Sequence, residues 1–494
     1  MIRRNLGWLT IMMVTGLAVP VSAQKSAQKP KPATVVAQPS VTAVESLQDR
    51  VAAVLAEAPT GTRIGLVVTT EDGREIIAIR PDDRFIPASN TKMFTTAAAY
   101  TVLPELTSNV PPRGNAVTAG KGKHPGITLV GYGDARMSSA PECTVNCLST
   151  LADAIAKSYK SVGTITGDDT FFADERWSNG MAWNNISGWY GAAISALTLD
   201  DNELVLTITP GKMAGDAATV ASLPYFTIDN RLQTVASGDT KIEYFRMPNS
   251  RDLRLTGTVV AGKEASRLRL GIDDPAHYAA WRLGELLKER KVKVRGTITA
   301  RHRFADQAPS SFASAPLATL TPGPLSEDVK LTNKVSQNLH TDMLLRRIGA
   351  ARGEPTVAGG HKAIDAMLAS AGVPRTAYDF ADGSGMSSYN RVSPRAGIGL
   401  LRWVAKQPWG AEWRETLPVG GIDGTLKRRF TGTILEGKVH AKTGTLNQVN
   451  ALSGYMTTAS GKTLIFSSFV NDTPGDKSMT GVIDKALVLI ASEN

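Results

Sequence analysis

The chain has 494 residues, of which 42% are hydrophobic, so it can build more than one ordinary core and we expect two or three domains. Lysine and arginine exceed aspartate and glutamate by 55 to 45, which gives a net charge of +10. This excess forms no strong cluster, which argues against a nucleic-acid-binding protein. Attraction to an anionic wall or membrane surface and simple solubility both explain the charge.

The first residues are typical of a signal peptide. Arg3 and Arg4 precede a short apolar run, and the sequence Val-Ser-Ala, ending at Ala23, provides a cleavage site. The run is too short to span a bilayer, which takes about 20 residues, and no later stretch is apolar for long enough. We predict a signal peptide at 1–23, a disordered leader at 24–42, no transmembrane segment, and an exported, periplasmic protein.

Two apolar runs, 62–70 and 74–80, are joined through an Asp-Gly pair, which is a strong hairpin signal. A helix-prone segment follows, and in FIPASNTKMF it places Ser89 and Lys92 three residues apart on one helix face. This spacing fits a serine nucleophile with a lysine as its base. It also fits a capped helix start whose lysine points to water.

Between about 109 and 308 the chain changes to many short β runs, interrupted by two helical patterns. We predict an inserted β-rich region of two lobes, with about 136–200 nested in the rest. The only cysteines, Cys143 and Cys147, lie four residues apart in this region. In an exported protein we expect a local disulfide between them rather than a metal site, because two ligands do not complete a zinc sphere.

Three helical patterns follow the inserted region, at 325–349, 361–372 and 394–406. Ser336 and Asn338 lie in the first of them, where they could supply a hydroxyl that relays protons and an amide that holds a substrate. Capping of the next helix explains the same residues equally well. Ser388 and Asn390 repeat the pattern, so this motif is the least specific one in the chain.

The C-terminal part contains three strand patterns and a final helical pattern whose Ile483, Leu487 and Ile490 share one face. Together with the two N-terminal strands they predict an antiparallel five-stranded sheet flanked by helices. This sheet joins the two parts of one α+β domain, 43–108 and 309–494, so the middle of the chain must be inserted.

The first C-terminal strand carries Lys442-Thr443-Gly444-Thr445. Lys442 can attract a substrate carboxylate, to which Thr443 and Thr445 can donate hydrogen bonds. It could also be the cation that, together with burial, lowers the pKa of Lys92 toward neutrality. Gly444 has no side chain and could let a substrate backbone lie against the strand edge. An ordinary strand end with a turn is the alternative explanation.

The motifs Ser-x-x-Lys, Ser-x-Asn and Lys-Thr-Gly, in this order, resemble those of the penicillin-recognising serine enzymes, the penicillin-binding proteins and serine β-lactamases. The long insertion and three further segments are similar to the D-alanyl-D-alanine carboxypeptidase/endopeptidase family, the class C low-molecular-mass penicillin-binding proteins. These segments are DGSGMSSYNRVSP (382–394), LPVGGIDGTLKRR (417–429) and AKTGTLNQVNALSGYMTTASGK (441–462). The resemblance implies a β-lactamase/transpeptidase-like domain interrupted by two nested β-rich domains.

The resemblance also implies an activity and the residues that perform it. Ser89 is expected to be the nucleophile and Lys92 its proton acceptor, with Ser336 as a proton relay and Asn338 as a substrate-positioning residue. The expected reactions are release of terminal D-alanine from peptidoglycan stem peptides and cleavage of D-Ala cross-links. β-Lactams should bind the same serine, and no metal or cofactor is expected.

Two further roles follow from the same resemblance. Lys442 is expected to hold the terminal carboxylate, and the backbone amides of Ser89 and Thr445 are expected to form the oxyanion hole. Family members often carry acidic residues after a tryptophan of the inserted region, where this chain has Asn184 and Asn185. Asn185 is therefore a candidate substrate-binding residue without the expected charge, and the side-chain preference stays open.

Two other functions are compatible with the same fold. A serine β-lactamase of the same fold typically has a deacylating Glu in Glu-x-x-Leu-Asn, and that pattern is absent. A non-catalytic wall-binding or signalling module has no reason to keep all three motifs intact. The segments 432–439 and 131–136 are near misses of nucleotide-binding loops and are rejected. The sequence leaves the balance between carboxypeptidase and endopeptidase, the oligomeric state and the protein partners open.

Overall fold

The structure is a computed structural model and describes residues 45–108, 110–308, 315–475 and 477–494. The predicted signal peptide and leader lie outside these ranges. Within them, no helix combines the length and the apolar character that a membrane span requires. The chain from Ser46 to Asn494 forms one compact unit.

Helices and strands are distributed along the whole described chain. The helices α1 to α11 are Leu47–Leu55, Thr91–Val102, Pro104–Thr107, Leu148–Ser158, Pro275–Glu289, Leu325–Lys334, Asn338–Ala351, Val357–Ser370, Pro394–Val404, Gly410–Glu415 and Thr480–Ser492. The strands β1 to β21 are Arg63–Thr70, Glu75–Ile79, Ala116–Ala119, Ile127–Val130, Ser161–Val162, Ile165–Asp168, Glu203–Thr209, Thr219–Ala221, Thr227–Asn230, Gln233–Val235, Lys241–Phe245, Asp252–Val260, Ser266–Gly271, Lys293–Val294, Ile298–Arg301, Ala318–Thr319, Tyr378–Asp379, Arg391–Val392, Val439–Leu446, Val449–Thr457 and Thr463–Asn471.

Strands from both ends of the described chain form one antiparallel sheet, in the order β19, β20, β21, β1, β2. β1 and β21 join the two ends, with Arg63 opposite Asn471 and Thr70 opposite Leu464. The predicted Asp-Gly turn connects β1 to β2, and Gly73 has a φ of 102°, which only a glycine adopts easily. The predicted five-stranded sheet is confirmed.

Helices cover both faces of this sheet, which explains why β1 is buried along most of its length. Successive side chains of a strand point to opposite faces. Leu66 and Val68 pack with α1 and α11, whereas Val67 packs with α2, α7, α8 and α9. Ile483 and Leu487 of α11 are buried in the first of these cores, as predicted from their helical spacing.

The inserted region contains a second five-stranded sheet, in the order β15, β6, β4, β3, β16. β4 and β6 are parallel neighbours, and α4 lies between them in the chain, as a crossover between parallel strands requires. Residues 136–200 contain β6, which is a strand of this sheet, and α4, which is the crossover helix that leads to it. The predicted nested lobe at about 136–200 is therefore wrong, because the crossover makes that segment part of the surrounding sheet.

A different segment is enclosed by this sheet. The strands β7 to β13, residues 203–271, lie between β6 and β15 in the chain. Apart from one isolated bridge between Leu270 and Gly188, they pair only among themselves in the described part. We propose 203–271 as the nested lobe. β16 pairs with β3, so we also place the end of the inserted region near residue 320 rather than at 308. Cys143 and Cys147 form the predicted disulfide just before α4.

Candidate active site

Ser89 lies in a tight turn in front of α2. Residues 88–90 form one 3-10 turn, and Ala88 has a φ of 47°, which alanine keeps only when its surroundings hold it. Two glycines pack against this turn. An added Cβ at Gly385 would lie 1.9 Å from the Ala88 carbonyl oxygen, and one at Gly444 would lie 3.1 Å from the Ser89 nitrogen. Close backbone packing on both sides therefore fixes the turn.

Lys92 is one turn further along, in the first turn of α2, and it is fully buried. Its Nζ is 3.0 Å from Ser89 Oγ, so the predicted neighbourhood of hydroxyl and amine is observed. Two further contacts complete its surroundings, at 2.7 Å to Asn338 Oδ1 and at 2.6 Å to the Ser384 carbonyl oxygen. All three partners are uncharged oxygens. The alternative explanation, a capped helix start whose lysine points to water, is not what the structure shows.

Burial controls the protonation of Lys92. It lowers the pKa of this lysine to about 8, although the carboxylates of Asp342 and Asp382 act in the opposite direction. The sequence predicts that a neighbouring cation also lowers the pKa of Lys92. That effect is instead found on Lys442, whose pKa is held well below its usual value by burial and by the charge of Lys92.

The Ser384 carbonyl belongs to a loop organised by the buried carboxylate of Asp382. This carboxylate accepts hydrogen bonds from the backbone amides of Gly385 and Ser387, at 2.8 and 2.6 Å. It also accepts one from Asn390 Nδ2 at 2.6 Å. The loop thereby presents a carbonyl oxygen to the buried lysine, and it brings Gly385 against the turn that contains Ser89.

The structure separates the two candidate Ser-x-Asn motifs. Ser336 Oγ lies 2.9 Å from Lys442 Nζ, and Asn338 contacts the lysine of α2 as described above. Ser388 is exposed instead and donates its hydroxyl hydrogen to a backbone carbonyl at 2.9 Å, while Asn390 is buried in the loop that it stabilises. Only the first motif therefore contacts the two lysines.

Lys442 is fully buried in β19. Its Nζ donates to Ser336 Oγ and to the Thr443 carbonyl oxygen, both at 2.9 Å. Asn90 Nδ2 donates to the Lys442 carbonyl oxygen at 2.9 Å, which ties β19 to the residue that follows Ser89. The Thr443 hydroxyl lies 2.7 Å from that of Thr425. β19 is thus connected both to the turn that contains Ser89 and to the Ser336-Gln337-Asn338 segment.

The missing side chain of Gly444 also matters inside the protein. An added Cβ would lie 2.7 Å from the Pro87 carbonyl oxygen, so a glycine is needed here for the turn that contains Ser89 to pack against β19. Thr445 is exposed, on the outer strand of the sheet. An outer strand has backbone groups on one side that no neighbouring strand uses, and these groups are available to a ligand.

A cleft of ≈ 750 Å³ opens in front of this arrangement. Five predicted site residues line it: Ser89, Asn185, Ser336, Asn338 and Thr445. Lys92 and Lys442 lie behind its wall, where they are shielded from water.

The inserted region contributes to the cleft, because Asn184, Trp189 and Tyr190 line one side of it. Tyr190 also accepts a hydrogen bond from Asn338 Nδ2 at its carbonyl oxygen, at 2.8 Å.

Several of these residues escaped the sequence analysis. The Ser384 carbonyl, the Asp382 carboxylate and the Tyr190 carbonyl all reach the site through loops that are distant in the chain. In the sequence, the segment that contains Ser384 is distinguished only by its resemblance to a segment of the family. Nothing in its local pattern distinguishes a loop that presents a carbonyl oxygen to a buried amine from an ordinary turn.

This chain is similar to one protein family and to several known proteins. The model of the D-Ala-D-Ala carboxypeptidase 3 (S13) family matches residues 47–494. The D-alanyl-D-alanine carboxypeptidase of an Actinomadura species is 31% identical over 444 residues, which cover 86% of this chain and 80% of that protein. The D-alanyl-D-alanine carboxypeptidase DacB of Haemophilus influenzae is 24% identical, over 84% of this chain and 86% of that protein.

The fold is also that of a solved relative. The crystal structure of penicillin binding protein 4 from Haemophilus influenzae has a TM-score of 0.74 with this chain at 22% identity. The alignment covers 89% of this chain and 97% of that one. The resemblance found in the sequence is confirmed, and this chain belongs to the D-Ala-D-Ala carboxypeptidase 3 (S13) family of serine peptidases.

Proposed function

We propose that the protein releases the terminal D-alanine of peptidoglycan stem peptides through an ester intermediate on Ser89. The observation that carries the proposal is the buried amine of Lys92, 3.0 Å from the Ser89 hydroxyl at the back of an open cleft. Membership of the carboxypeptidase family supports the substrate class.

The hydrogen bonds of Lys92 fit a neutral amine that acts as the base. A neutral amine has two hydrogens and one lone pair, and the oxygens of Asn338 and Ser384 can only accept hydrogens. The lone pair is then left for the Ser89 hydroxyl, which donates to it. With a pKa of about 8, roughly a tenth of the amine is neutral at neutral pH, which suits a general base.

In the first chemical step, Ser89 Oγ bonds to the carbonyl carbon of the scissile amide while its proton moves to Lys92 Nζ. Negative charge develops on the carbonyl oxygen. We assign the oxyanion hole to the backbone N–H groups of Ser89 and Thr445, which lie in front of α2 and on the outer strand. The N-terminal end of α2 adds a favourable dipole.

The substrate carboxylate is assigned to Lys442 together with the Thr443 and Thr445 hydroxyls. Burial and the charge of Lys92 lower the pKa of Lys442, so an arriving carboxylate favours the protonated form of this lysine. A substrate with a free terminal carboxylate therefore completes the charge balance of the site. This dependence suits a carboxypeptidase, which requires that terminus.

Three further proton transfers complete the cycle, the last of them from Lys92 to Ser89. When the tetrahedral species collapses, the C–N bond breaks and the amine of D-alanine takes the proton from Lys92, through Ser336 where the distance requires a relay. A water molecule then attacks the ester and gives its proton to Lys92. The C–O bond breaks, and Ser89 regains its hydrogen. The atoms and charges balance without a metal or cofactor.

The same chemistry supports a wider range of substrates and an inhibitor class. The cleft is open, so we extend the proposal to cleavage of D-Ala cross-links, and Asn185 is assigned to the substrate side chain. A β-lactam is expected to acylate Ser89 and to persist, because its amine stays attached and blocks the attacking water. An exported, periplasmic location with a cleaved signal peptide suits these substrates.

The test is acylation of purified mature protein by a penicillin, read by intact mass and peptide mapping. One penicillin should be found on the peptide that contains Ser89, and Ser89→Ala should abolish both labelling and D-alanine release from muropeptides. Label on another residue would contradict the mechanism. Rapid loss of the label would indicate a β-lactamase, and absence of D-alanine release would indicate a non-catalytic module.

A further inference from the structure

His340 lies two residues after Asn338 in α7, and only 1% of it is exposed. Each of its ring nitrogens faces a carboxylate oxygen. Nδ1 is 3.1 Å from Asp328 Oδ1, and Nε2 is 3.0 Å from Asp201 Oδ1. A neutral imidazole has a single N–H, so both contacts are hydrogen bonds only when the ring carries both protons. The geometry therefore describes an imidazolium held between two carboxylates.

Asp201 connects this histidine to the residues that contact the two lysines. Its Oδ2 accepts a hydrogen bond from Gln337 Nε2 at 3.3 Å. Gln337 also caps α7, because its Oε1 accepts from the Leu339 amide at 3.1 Å. It stands between Ser336 and Asn338, and Ser336 has a φ of 64°, which a serine keeps only when its neighbours hold it.

Asp201 itself comes from the inserted region, in a turn that is held in place on both sides. The three residues Asp200, Asp201 and Asn202 have φ values of 50°, 54° and 53°. Asp200 accepts hydrogen bonds from the amide and the hydroxyl of Ser139, at 2.7 and 2.6 Å. Asn202 donates to the Ala193 carbonyl at 2.8 Å. Such a run of left-handed residues persists only when the structure over-determines it.

We propose that His340 is a positioning residue for the reaction: as an imidazolium it holds Asp201 of the inserted region against Gln337, and it thereby fixes Ser336 and Asn338 against the two lysines. The inference rests on the function proposed above and adds a dependence on the inserted region. When the ring loses its proton, one of its nitrogens has no hydrogen to donate to the carboxylate that it faces. Asp201 is then held less firmly, and its hydrogen bond with Gln337 weakens.

The charges around His340 set the pH at which this happens. Burial lowers the pKa of His340, but the hydrogen bonds and charges of Asp201 and Asp328 outweigh burial and raise it to about 9. Arg136 Nε lies 3.2 Å from Asp328 Oδ1, and Asp134 lies near the same carboxylate. Arg269 acts on Asp201 from β13. We expect acylation to rise with pH through the titration of Lys92 and to fall again near pH 9.

The chain offers a matched control in the inserted region. The ring of His302 also lies between two carboxylates, with Nδ1 2.9 Å from Asp169 Oδ1 and Nε2 3.4 Å from Asp274 Oδ2. Arg176 Nη2 lies 3.0 Å from the same Nε2. The carboxylates raise the pKa of His302 to about 10. None of the contacts of His302 in the described chain reaches a site residue, so its titration should not affect acylation.

The experiment compares Asp201→Asn with Asp274→Asn in full-length mature protein. The rate of Ser89 acylation by a fluorescent penicillin is measured from neutral to alkaline pH. Removal of one carboxylate should move the alkaline limb of Asp201→Asn down by about 1 pH unit or more, which lowers the rate on that limb about tenfold. The acid limb, set by Lys92, should stay in place. Asp274→Asn should keep both limbs.

Gln337→Met is measured in parallel, in case Asp201→Asn does not fold. It removes the link but leaves the imidazolium, so acylation should be slower at every pH and the alkaline limb should flatten. The inference is overturned when the limb of Asp201→Asn stays at the wild-type pH, when Asp274→Asn shifts it equally, or when Gln337→Met behaves as wild type. Wild-type protein that is not acylated at Ser89 would overturn the proposed function instead.

Discussion

Arg246 of the inserted region and the two site lysines, Lys92 and Lys442, are buried cations with opposite kinds of partners. In the inserted region, Arg246 is 3% exposed and bonds the Asp273 carboxylate at 2.6 Å. In the catalytic part, Lys92 and Lys442 are both 0% exposed. Their hydrogen bonds in the described chain go to uncharged oxygens. Arg246 therefore has a counter-ion within hydrogen-bonding distance, whereas the two lysines have none among their hydrogen-bond partners.

The difference in partners affects whether each cation can release its proton. A buried charge without a counter-ion is costly, and a lysine escapes the cost by releasing its proton. The pKa of Lys92 is accordingly lowered to about 8, so the amine can accept a proton from a neighbouring hydroxyl. A carboxylate partner would cancel this property by stabilising the protonated form. The missing counter-ion is therefore a requirement of the proposed chemistry.

The largest expected effect is on the rate of acylation. Lys92→Met removes the base, and the rate of Ser89 acylation by a fluorescent penicillin should fall by about 10²–10⁴-fold. Lys92→Arg is the matched control, because it keeps a cation that does not release its proton. It should be as slow as Lys92→Met. A near-wild-type rate in Lys92→Arg would show that the positive charge matters, and not the base.

The next effect is on the stability of the inserted region. Arg246→Met leaves Asp273 as a buried carboxylate without its partner, which should lower the free energy of unfolding by about 3–5 kcal/mol. The measurement is urea denaturation followed by circular dichroism. At a temperature where the variant is folded, Ser89 acylation should proceed at the wild-type rate. Slow acylation of folded Arg246→Met would contradict the separation between the two kinds of buried cation.

The sequence predicted those parts of the molecule that depend on local spacing. The hairpin of β1 and β2, the buried face of α11 and the neighbourhood of Ser89 and Lys92 all follow from a turn signal or a helical period. Of the parts that depend on contacts between distant segments, the five-stranded sheet was predicted and the proposed nested lobe at 203–271 was not. That lobe is inferred from strand pairing, and short β runs do not indicate which strands pair.

The same limit applies inside the site. Both Ser336 and Ser388 begin a Ser-x-Asn pattern, and only the tertiary structure shows which of them reaches Lys442. The two hydrogen bonds of the His340 ring could not be predicted either, because Asp201 and Asp328 come from two other segments of the chain. Local pattern identifies the type of chemistry, whereas the long-range hydrogen bonds select the residues that perform it.

A smaller effect of opposite sign is expected for the stability of Lys92→Met. Replacing a buried cation without a counter-ion by an apolar side chain should raise the free energy of unfolding by about 0.5–2 kcal/mol. The sign depends on pH. Folded protein loses the Lys92 proton near pH 8, whereas an unfolded lysine keeps it to about 10.5, so the wild type gains stability between these values.

The advantage of Lys92→Met should therefore be largest below pH 8 and should shrink as the pH rises toward 10.5. Thermal unfolding of both proteins across this range measures the difference, and Arg246→Met again serves as the control that loses stability. A difference that does not change with pH would show that packing, and not the charge of Lys92, determines the effect.

The smallest expected effect concerns a charge that is accessible to water, in contrast to the buried charges compared so far. Asn185 lies in a partly exposed 3-10 turn of the inserted region and lines the cleft. Asn185→Asp adds a carboxylate that can pair with a free amine on a stem-peptide side chain. Because water and salt screen such a pair, it should contribute about 0–1 kcal/mol, up to roughly fivefold in selectivity. The preference for the free-amine peptide over its acetylated form is the quantity to measure.

Asn447→Asp provides the control, because Asn447 lines the same cleft from the turn between β19 and β20. If position determines the effect, Asn185→Asp should change the selectivity more than Asn447→Asp does, and added salt should reduce the change. Equal changes in both variants would mean that only the overall charge of the cleft matters. Unchanged selectivity in Asn185→Asp would remove Asn185 from the residues assigned to the substrate side chain.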